Sequence, residues 1–300
     1  MIISASRRTD IPAFYARWFM NRIREGYCTV PNPFNPHQVS RISLKPENVD
    51  IIVFWTRYAH PLMPFLNELD DRGYRYYFLY TLMNNPRALE PKSPSHKRSL
   101  NTFQSLSSRI GMEKVIWRYD PIVFTRITDP DFHEETYQGI AEQLKGYTNR
   151  SIISMVDIYR KARKRLKLLE EQGIPIVEPP KEKLSELMKN ISASAAINGM
   201  EIQSCAEAPC LNLHGITPGK CIDDGLIRRV FGLETTDQKD PSQRSHCGCV
   251  ASRDIGMYDT CLFGCVYCYA TTRFDRARER HIKSDPDGPS LTGLGYSSND

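Results

Sequence analysis

The stretch Val49-Asp-Ile-Ile-Val-Phe-Trp-Thr56 is almost entirely apolar, and polar segments flank it on both sides. A short apolar run rich in β-branched and aromatic residues predicts a β-strand that is buried on both faces. Strands of this kind are typical of parallel sheets, because other parts of the chain cover both faces of such sheets. The stretch therefore indicates an α/β fold.

Similar runs recur along the first two thirds of the chain, and most are followed by apolar residues at helix-like spacing. The predicted strands are 2–6, 49–56, 75–82, 114–120, 151–158 and 200–205, and the predicted helices are 12–24, 61–72, 95–110, 132–145, 159–172 and 181–198. Successive strand–helix units imply right-handed parallel crossovers. We therefore predict a TIM-like parallel barrel, complete or partial, over residues 1–204.

Three other segments lack this periodicity. Residues 27–47 contain several prolines and predict an ordered loop. Residues 205–283 hold most of the cysteines and predict a cysteine-rich region that binds a cluster and closes the barrel. Residues 284–300 are rich in Gly, Ser, Pro and Asp and predict a disordered tail.

Polar and charged residues follow the predicted strands at their C-terminal ends. In barrels of this class the loops at those ends build the active site. We therefore predict a catalytic rim that holds a polar or anionic substrate, since the fixed donor fork of arginine suits anions. Its members are Arg7, Arg8, Asp10, Arg57, Arg118 and Asp120. The alternative is that these charges pair with one another, as Arg118 with Asp120 or Arg8 with Asp10, and only stabilise the rim.

Three cysteines stand in one short loop, Cys261-Leu-Phe-Gly-Cys265-Val-Tyr-Cys268. Thiolates are the usual protein ligands of iron–sulfur clusters and of structural zinc, and a C-x3-C-x2-C spacing lets all three face one centre. Three ligands leave one iron of a cubane cluster open. A zinc site completed by His246 or another cysteine is the alternative.

The three cysteines, with the aromatic Tyr267 before the last of them, resemble the cluster loop of radical S-adenosylmethionine enzymes, and residues 264–269 are particularly similar to the loop of spore photoproduct lyase. Together with Ser4–Pro12 and Trp117–Pro121, the loop resembles the bacterial family called domain of unknown function 1848. The resemblance implies a 4Fe-4S cluster on Cys261, Cys265 and Cys268, S-adenosylmethionine on its open iron, and radical chemistry on an unknown substrate. An electron donor such as flavodoxin or ferredoxin would reduce the cluster.

The loop stands late in this chain, whereas in radical enzymes it follows the first barrel strand. We expect residues 251–259 to form a last strand that lies beside the first one and so restores the usual position of the loop. Four further cysteines fit a pattern of the resembled family and imply a second centre, 4Fe-4S or zinc: Cys205, Cys221, Cys247 and Cys249. Cys210 is then a spare cysteine, and Cys28 is expected to be an ordinary buried thiol.

Composition narrows the remaining choices. The chain has 300 residues and a net charge of +5, with nine cysteines of which eight follow residue 204. Clustered cysteines indicate metal ligands in a reducing compartment, and neither a long apolar run nor a signal peptide is present, so we expect a cytoplasmic protein without a membrane span. Basic runs at 160–167 and 273–283 predict solvated helix faces. The alternative function is a non-catalytic iron–sulfur or zinc module that binds nucleic acid or a protein partner, and the photoproduct-lyase-like loop adds radical DNA repair as a further alternative.

Overall fold

The structure is a computed structural model that describes residues 1–35, 37–207 and 209–293. The strands are β1 (Ile2–Ala5), β2 (Tyr27–Pro31), β3 (Val39–Ser43), β4 (Ile51–Thr56), β5 (Tyr76–Thr81), β6 (Val115–Ile122), β7 (Arg150–Met155), β8 (Glu201–Ser204), β9 (Thr217–Pro218) and β10 (Arg253–Asp254). The α-helices are α1 (Ile11–Phe14), α2 (Ala16–Glu25), α3 (Leu66–Asp71), α4 (His96–Ile110), α5 (Pro130–Leu144), α6 (Arg163–Glu171), α7 (Lys181–Ile197), α8 (Asp224–Phe231) and α9 (Phe274–Ile282). Short 3-10 helices span Pro46–Asn48, Met63–Phe65, Met112–Lys114 and Pro209–His214.

Eight strands form one sheet in the order β10-β1-β4-β5-β6-β7-β8-β9, and every neighbouring pair is parallel. β2 and β3 form a separate antiparallel hairpin. The predicted α/β class is therefore confirmed as a mixed α/β fold with a large parallel sheet. From β1 onward the spatial order follows the chain without a reversal, so the arrangement is compatible with a partial TIM-like barrel as well as with a Rossmann-like fold.

The two faces of the sheet pack against different parts of the chain. Because side chains alternate along a strand, one set points to each face. The helix-covered face packs in one core with residues of α2, α4, α5 and α7 and includes Ile3, Ile52, Phe54, Phe78, Trp117 and Ile153. The opposite face packs against the cysteine-rich region and α8 and includes Ile2, Val53, Trp55, Tyr77, Leu79, Ile116 and Ile152. Ile51 to Phe54 are all fully buried, which confirms the two-faced burial that was predicted for β4.

The last strand lies beside the first, as expected. β10 pairs with β1 in parallel, with Ile3 opposite Arg253 and Ser4 opposite Asp254. The Asp254 carboxylate fixes this pairing by accepting hydrogen bonds of 2.8–3.0 Å from Ser4 Oγ, Ser6 Oγ, the Arg7 N–H and the Gly256 N–H. A Cβ atom at position 256 would lie 1.9 Å from Ser6 Oγ, so the close approach requires glycine there.

Two predictions about irregular segments were wrong. The segment predicted as a loop over 27–47 contains the β2–β3 hairpin. Residues 284–293, predicted as part of a disordered tail, pack against α2: Trp18 Nε1 donates to Gly288 O at 2.9 Å, and the Arg22 guanidinium donates to Asp287 O at 2.7 Å. Leu291 is buried in the main core, so one apolar side chain and backbone carbonyls order this polar segment. The rest of the predicted tail, 294–300, lies outside the described residues.

The cysteine-rich region contains two helices that the sequence patterns did not predict, α8 and α9. Both are short, and their apolar faces are small: α8 buries Leu226 and Ile227, and α9 buries only Ala277. A helix this short gives few repeats of the 3.6-residue period, so its pattern was hidden among glycines and charges. Within the described part of the chain, no helix is both long and apolar enough to cross a membrane.

We predict that Asp254→Asn lowers the free energy of unfolding by about 2–3 kcal/mol, because an amide replaces a carboxylate that accepts four hydrogen bonds. Urea unfolding with an unchanged m-value would measure this loss. The matched control is Asp50→Asn, in which the exposed partner of the N-terminal ammonium is neutralised. Equal unfolding midpoints for both variants would contradict the role of Asp254.

Candidate functional site

The loop with three cysteines joins β10 to α9 and is closed at its base. The Asp259 N–H donates to Ala270 O at 3.0 Å, and the Thr272 N–H donates back to the Asp259 carboxylate. Asp259 has a φ of 56°, a left-handed conformation that aspartate tolerates better than most residues. The Tyr15 hydroxyl donates to Thr260 O at 2.9 Å and ties the loop to the end of α1. The loop is thus a closed structure with fixed ends.

The three thiols of this loop lie near one another. Cys265 is buried, Cys261 and Cys268 are half-buried, and all three are free of disulfides. Each interacts electrostatically with the other two. Burial raises the pKa of Cys265 to about 12, against the opposing effect of the nearby Arg57 guanidinium, and burial also raises the pKa of Cys261. Thiols in this setting become thiolates once a metal cation replaces their protons, so the donor set suits a metal centre.

A buried ion pair fixes the aromatic residue of the loop. Arg57 follows β4 and Glu90 lies in the loop after β5; Arg57 Nη1 lies 2.6 Å from Glu90 Oε2. Arg57 Nη2 donates to the Tyr267 hydroxyl at 2.8 Å, and that hydroxyl donates in turn to Glu90 Oε1. Glu90 also accepts hydrogen bonds from Asn85 and Ser93. We call Arg57, Glu90 and Tyr267 the loop anchor, because they join two strand ends to the cysteine loop.

The loop anchor determines the charge of Glu90. Burial by itself raises the pKa of this carboxyl, but the Arg57 guanidinium and the hydrogen bonds from Tyr267, Asn85 and Ser93 more than reverse that effect. The pKa of Glu90 therefore lies below its usual range, and the side chain is ionised at neutral pH. The side chain of Glu90 is only 3 % exposed, so its charge depends on these partners.

A residue of the basic run also binds the loop. Arg165 of α6 donates through Nε to Val266 O at 2.9 Å, through Nη1 to Thr272 O at 3.0 Å, and through Nη2 to Cys268 O at 2.5 Å. Its guanidinium also lies over the Phe274 ring, 4.9 Å from the centroid. The prediction of a solvated basic face is therefore wrong for Arg165, and in the second run Arg280 likewise donates to Tyr258 O at 2.6 Å. The role of Arg165 was hidden because five other basic residues surround it in the sequence.

Asp10 lies beside the loop and has several partners. It caps α1 by accepting from the Ala13 N–H at 2.9 Å, and it accepts from Thr56 Oγ1 at 2.8 Å and from the Arg57 N–H at 2.6 Å. Burial raises the pKa of Asp10 to about 7, although these hydrogen bonds oppose the shift. Its carboxyl also interacts electrostatically with Cys261. A catalytic role for Asp10 stays a prediction, next to this structural one.

The four other predicted ligands form a second group against the opposite face of the sheet. Cys221 Sγ lies 3.5 Å from Cys205 Sγ, and Cys249 is in hydrogen-bonding contact with both Cys221 and Cys247. The thiols of Cys221 and Cys247 lower the pKa of Cys249 through these contacts. The Ile222 N–H also donates to Cys249 Sγ at 3.4 Å. The structure thus brings together four cysteines that are up to 44 residues apart in sequence. Cys28, by contrast, is buried in the helix-covered core, as expected.

Both groups of cysteines fit a cluster by the chemistry of their donors. Among the described residues, no three His, Cys, Asp or Glu side chains are arranged to hold a single metal ion as they stand. In a four-iron cluster the cysteines bind different irons, so their sulfurs need not converge on one point. The 3.5 Å between Cys205 Sγ and Cys221 Sγ is close to the roughly 3.8 Å that separates two thiolates on one tetrahedral zinc ion, whereas thiolates on different irons of a cubane lie farther apart. A cluster at the four-cysteine group would therefore require these side chains to separate.

The remaining rim residues lie at the same edge of the sheet, because all eight strands are parallel. Arg118 pairs with Asp120, which is the pairing that the alternative interpretation gave. Arg8 lies 3.9 Å from the Asp254 carboxylate and does not pair with Asp10. The roles of these residues in catalysis stay predictions.

Sequence patterns missed Glu90, Asp254 and Arg165. Glu90 and Asp254 are single acidic residues outside any motif, and only the fold shows what they contact. Two cavities on the described surface lie away from the cysteines. One, of about 490 Å³, is lined by residues of α2, Tyr27, Asp287 and Pro289, and the other, of about 350 Å³, lies beside His96 and Glu135.

We predict that Glu90→Gln lowers the free energy of unfolding by about 3–5 kcal/mol at neutral pH, because it leaves the Arg57 charge buried without its partner. Since the folded-state pKa of Glu90 is lowered, the advantage of the wild type is present above the usual carboxyl pKa. It is lost as the pH falls through the folded value. Urea unfolding at several pH values would measure both effects.

The matched control for this prediction is Glu68→Gln. Glu68 also pairs with two arginines, Arg24 and Arg72, but this group lies at the surface. Exposed pairs contribute about 0–1 kcal/mol, so the control should unfold nearly as the wild type does. A similar loss in both variants would show that the loop anchor has no special role.

Comparisons with known proteins identify a family but no characterised relative. A family model described as "Domain of unknown function (DUF1848)" matches residues 2–270, a range that includes the seven cysteines of both groups. Neither a curated protein nor a solved structure matches the chain. Since the matched range covers most of the chain, the protein belongs to the DUF1848 family.

Proposed function

We propose that the protein is an iron–sulfur enzyme of the radical S-adenosylmethionine type, built on a partial TIM-like barrel. In this proposal Cys261, Cys265 and Cys268 hold a 4Fe-4S cluster. The observation that carries it is the three-cysteine loop itself: three free thiols on one closed loop, held at the C-terminal edge of a parallel sheet. The strand order, which follows the chain without reversal, supports the barrel.

The chain's own residues would bind, orient and shield the cofactors. When bound, a cluster with three protein ligands supplies an iron that can take the amino and carboxylate groups of S-adenosylmethionine, and an electron that cleaves its sulfonium. The loop anchor keeps Tyr267 in place, and Arg165 holds the backbone carbonyls of Val266 and Cys268. Phe14 packs on Phe263 with ring centroids 4.6 Å apart, which limits the access of water to one side of the loop.

We further propose that Cys205, Cys221, Cys247 and Cys249 bind a second 4Fe-4S cluster. Support comes from the gathering of four thiols in one place and from their burial against the sheet. Four thiols supply a full set of ligands, so this centre would carry electrons or stabilise the fold and would not bind a substrate directly. Zinc is the alternative occupant, and metal analysis separates the two.

The basic surface beside the loop supports the proposed electron donor. Arg165 links α6 to α9 through its contact with Phe274. Exposed basic side chains on or next to these two helices outnumber the exposed carboxylates Glu170, Glu171, Asp275 and Glu279; they are Arg163, Lys164, Lys167, Arg273, Arg276 and Arg278. Charge complementarity favours an acidic donor such as flavodoxin or ferredoxin at this place. The same surface supports the second candidate function, a non-catalytic module that binds nucleic acid.

We predict that anaerobically purified protein reduced with dithionite gives an electron paramagnetic resonance signal of a 4Fe-4S cluster, and that S-adenosylmethionine shifts this signal. The shift should disappear in a variant with Cys261, Cys265 and Cys268 all changed to Ala. The matched control is Cys28→Ala, which removes a buried thiol away from both groups and should keep the shift. Zinc without iron, or a cluster whose signal does not change with S-adenosylmethionine, would contradict the proposal. Either result would favour the non-catalytic binding module.

The second cluster makes a separate prediction about metal content. We expect about eight iron atoms per wild-type chain and about four in the triple variant, since each cubane contains four irons. Changing Cys221 and Cys249 to Ala should also remove about four irons while the cofactor-dependent signal remains. One zinc and about four irons in the wild type would assign zinc to the four-cysteine centre.

A further inference from the structure

Two arginines of the rim lie on one aromatic ring. The guanidinium carbon of Arg7 lies 5.3 Å from the centroid of Trp55, and that of Arg118 lies 4.8 Å from it. Trp55 alternates with Val53 along β4 and therefore points to the cysteine-facing side of the sheet, as Arg118 does on β6 beside Ile116. Both arginine side chains are largely buried, with 12 % and 15 % exposed.

In each of these three side chains one buried N–H group has no oxygen or nitrogen acceptor among the described residues: Arg7 Nη2, Arg118 Nε and Trp55 Nε1. The Arg7 guanidinium does have a hydrogen-bonding contact with the Cys249 thiol, but sulfur is a weak acceptor. Their other contacts are accounted for, since Arg7 Nη1 donates to Ser252 Oγ and Arg118 Nη2 donates to Asp120. Arg57 differs, because Glu90 and Tyr267 already accept from its two terminal nitrogens. A buried donor without an acceptor is costly, and three of them around one ring indicate a missing acceptor.

The three donors lie between the two groups of cysteines. Arg7 interacts electrostatically with Cys249 and Cys221, and Arg118 does so with Cys221 and Cys205. On the other side, Tyr269 follows Cys268 directly, and its hydroxyl donates to Arg7 O at 2.7 Å. An occupant of this place would therefore reach towards both groups.

The surrounding charges select the kind of acceptor. Three ion pairs surround the ring, Arg7 with Asp240, Arg8 with Asp254 and Arg118 with Asp120, and Arg244 and Glu207 also interact electrostatically with Asp120. Because each of these arginines already faces a carboxylate, the two charges of a phosphate dianion would have no unpaired cation beside them. A single carboxylate offers two oxygen acceptors for the free N–H groups and adds only one charge.

We propose that Arg7, Arg118 and Trp55 form a carboxylate-binding site that holds a carboxylic-acid substrate between the two cysteine groups. The carboxylate accepts hydrogen bonds from Arg7 Nη2, Arg118 Nε and Trp55 Nε1. That this carboxylate belongs to a substrate rests on the proposed radical function, whereas the anion site itself does not. Of the six residues predicted for the catalytic rim, this site uses Arg7 and Arg118, and it adds Trp55.

The test uses the purified, cluster-loaded protein with sodium acetate as the probe. The thermal unfolding midpoint is followed against acetate concentration at constant ionic strength, with inorganic phosphate as the second probe. We expect saturable stabilisation by acetate and a much weaker effect of phosphate. Arg118→Gln and Arg7→Gln should raise the apparent Kd for acetate about 10- to 100-fold, as the loss of a charged hydrogen-bond donor predicts.

Two conservative variants are added in case the Gln variants fail to fold. Trp55→Phe keeps an aromatic side chain but removes the indole N–H, and Arg118→Lys keeps the charge and removes Nε; both should still weaken acetate binding. The matched control is Arg109→Gln, because Arg109 also bonds an aspartate, Asp70, but at the exposed surface. It should leave the Kd unchanged.

Non-saturable stabilisation, or an equal loss in Arg109→Gln, would overturn the site. An unchanged Kd together with iron loss in the Arg7 or Arg118 variants would also overturn it and assign these arginines to the neutralisation of the thiolates. Iron content and the cofactor-dependent resonance signal are measured on the same samples. If that signal is absent while acetate still binds, the radical proposal fails and the carboxylate site stands. If the signal is present while acetate does not bind, the carboxylate site fails and the radical proposal stands.

Discussion

The parallel direction of all eight sheet strands is the constraint on which the rest of the structure depends. It brings the C-terminal ends of strands that are distant in sequence to one edge, where Arg7, Arg57 and Arg118 follow β1 and β4 or lie in β6. The pairing of β10 with β1 adds the last loop to this edge. The three-cysteine loop therefore lies beside the start of the chain, and the ion pair of Arg57 and Glu90 can reach Tyr267 across the strand ends.

The two faces of the sheet have different interiors. Helices cover one face with an apolar core. The other face includes Trp55, whose ring contacts two arginines, and it packs against four cysteines and α8. Polar and sulfur-containing groups on this second side need partners, because unpaired buried groups are costly. The cysteines, the carboxylates and the N–H groups without acceptors thus lie on the side of the sheet where the proposed cofactors and substrate would bind.

Much of the fold followed from the sequence, because long apolar strands such as β4 and long amphipathic helices such as α4 and α5 carry strong periodic signals. The short elements α8, β9 and β10 carry too few residues for such a signal. The cysteines were identifiable from their spacing and family pattern. Glu90, Asp254 and Arg165 were not, since nothing in a sequence marks a single charged residue whose partners lie 100 residues or more away.

The pairing of Ser4 with Asp254 spans 250 residues, and this has a consequence for the order of events during synthesis. The earlier strands can associate while the ribosome is still translating, since domains tend to fold from the N-terminus. The surroundings of the three-cysteine loop are complete only after residues up to Thr272 have emerged, because Thr272 closes the loop with Asp259. Delivery of the iron and sulfide of the proposed cluster would therefore be a late event, because a nascent chain that ends before Asp254 lacks the pairing of β10 with β1.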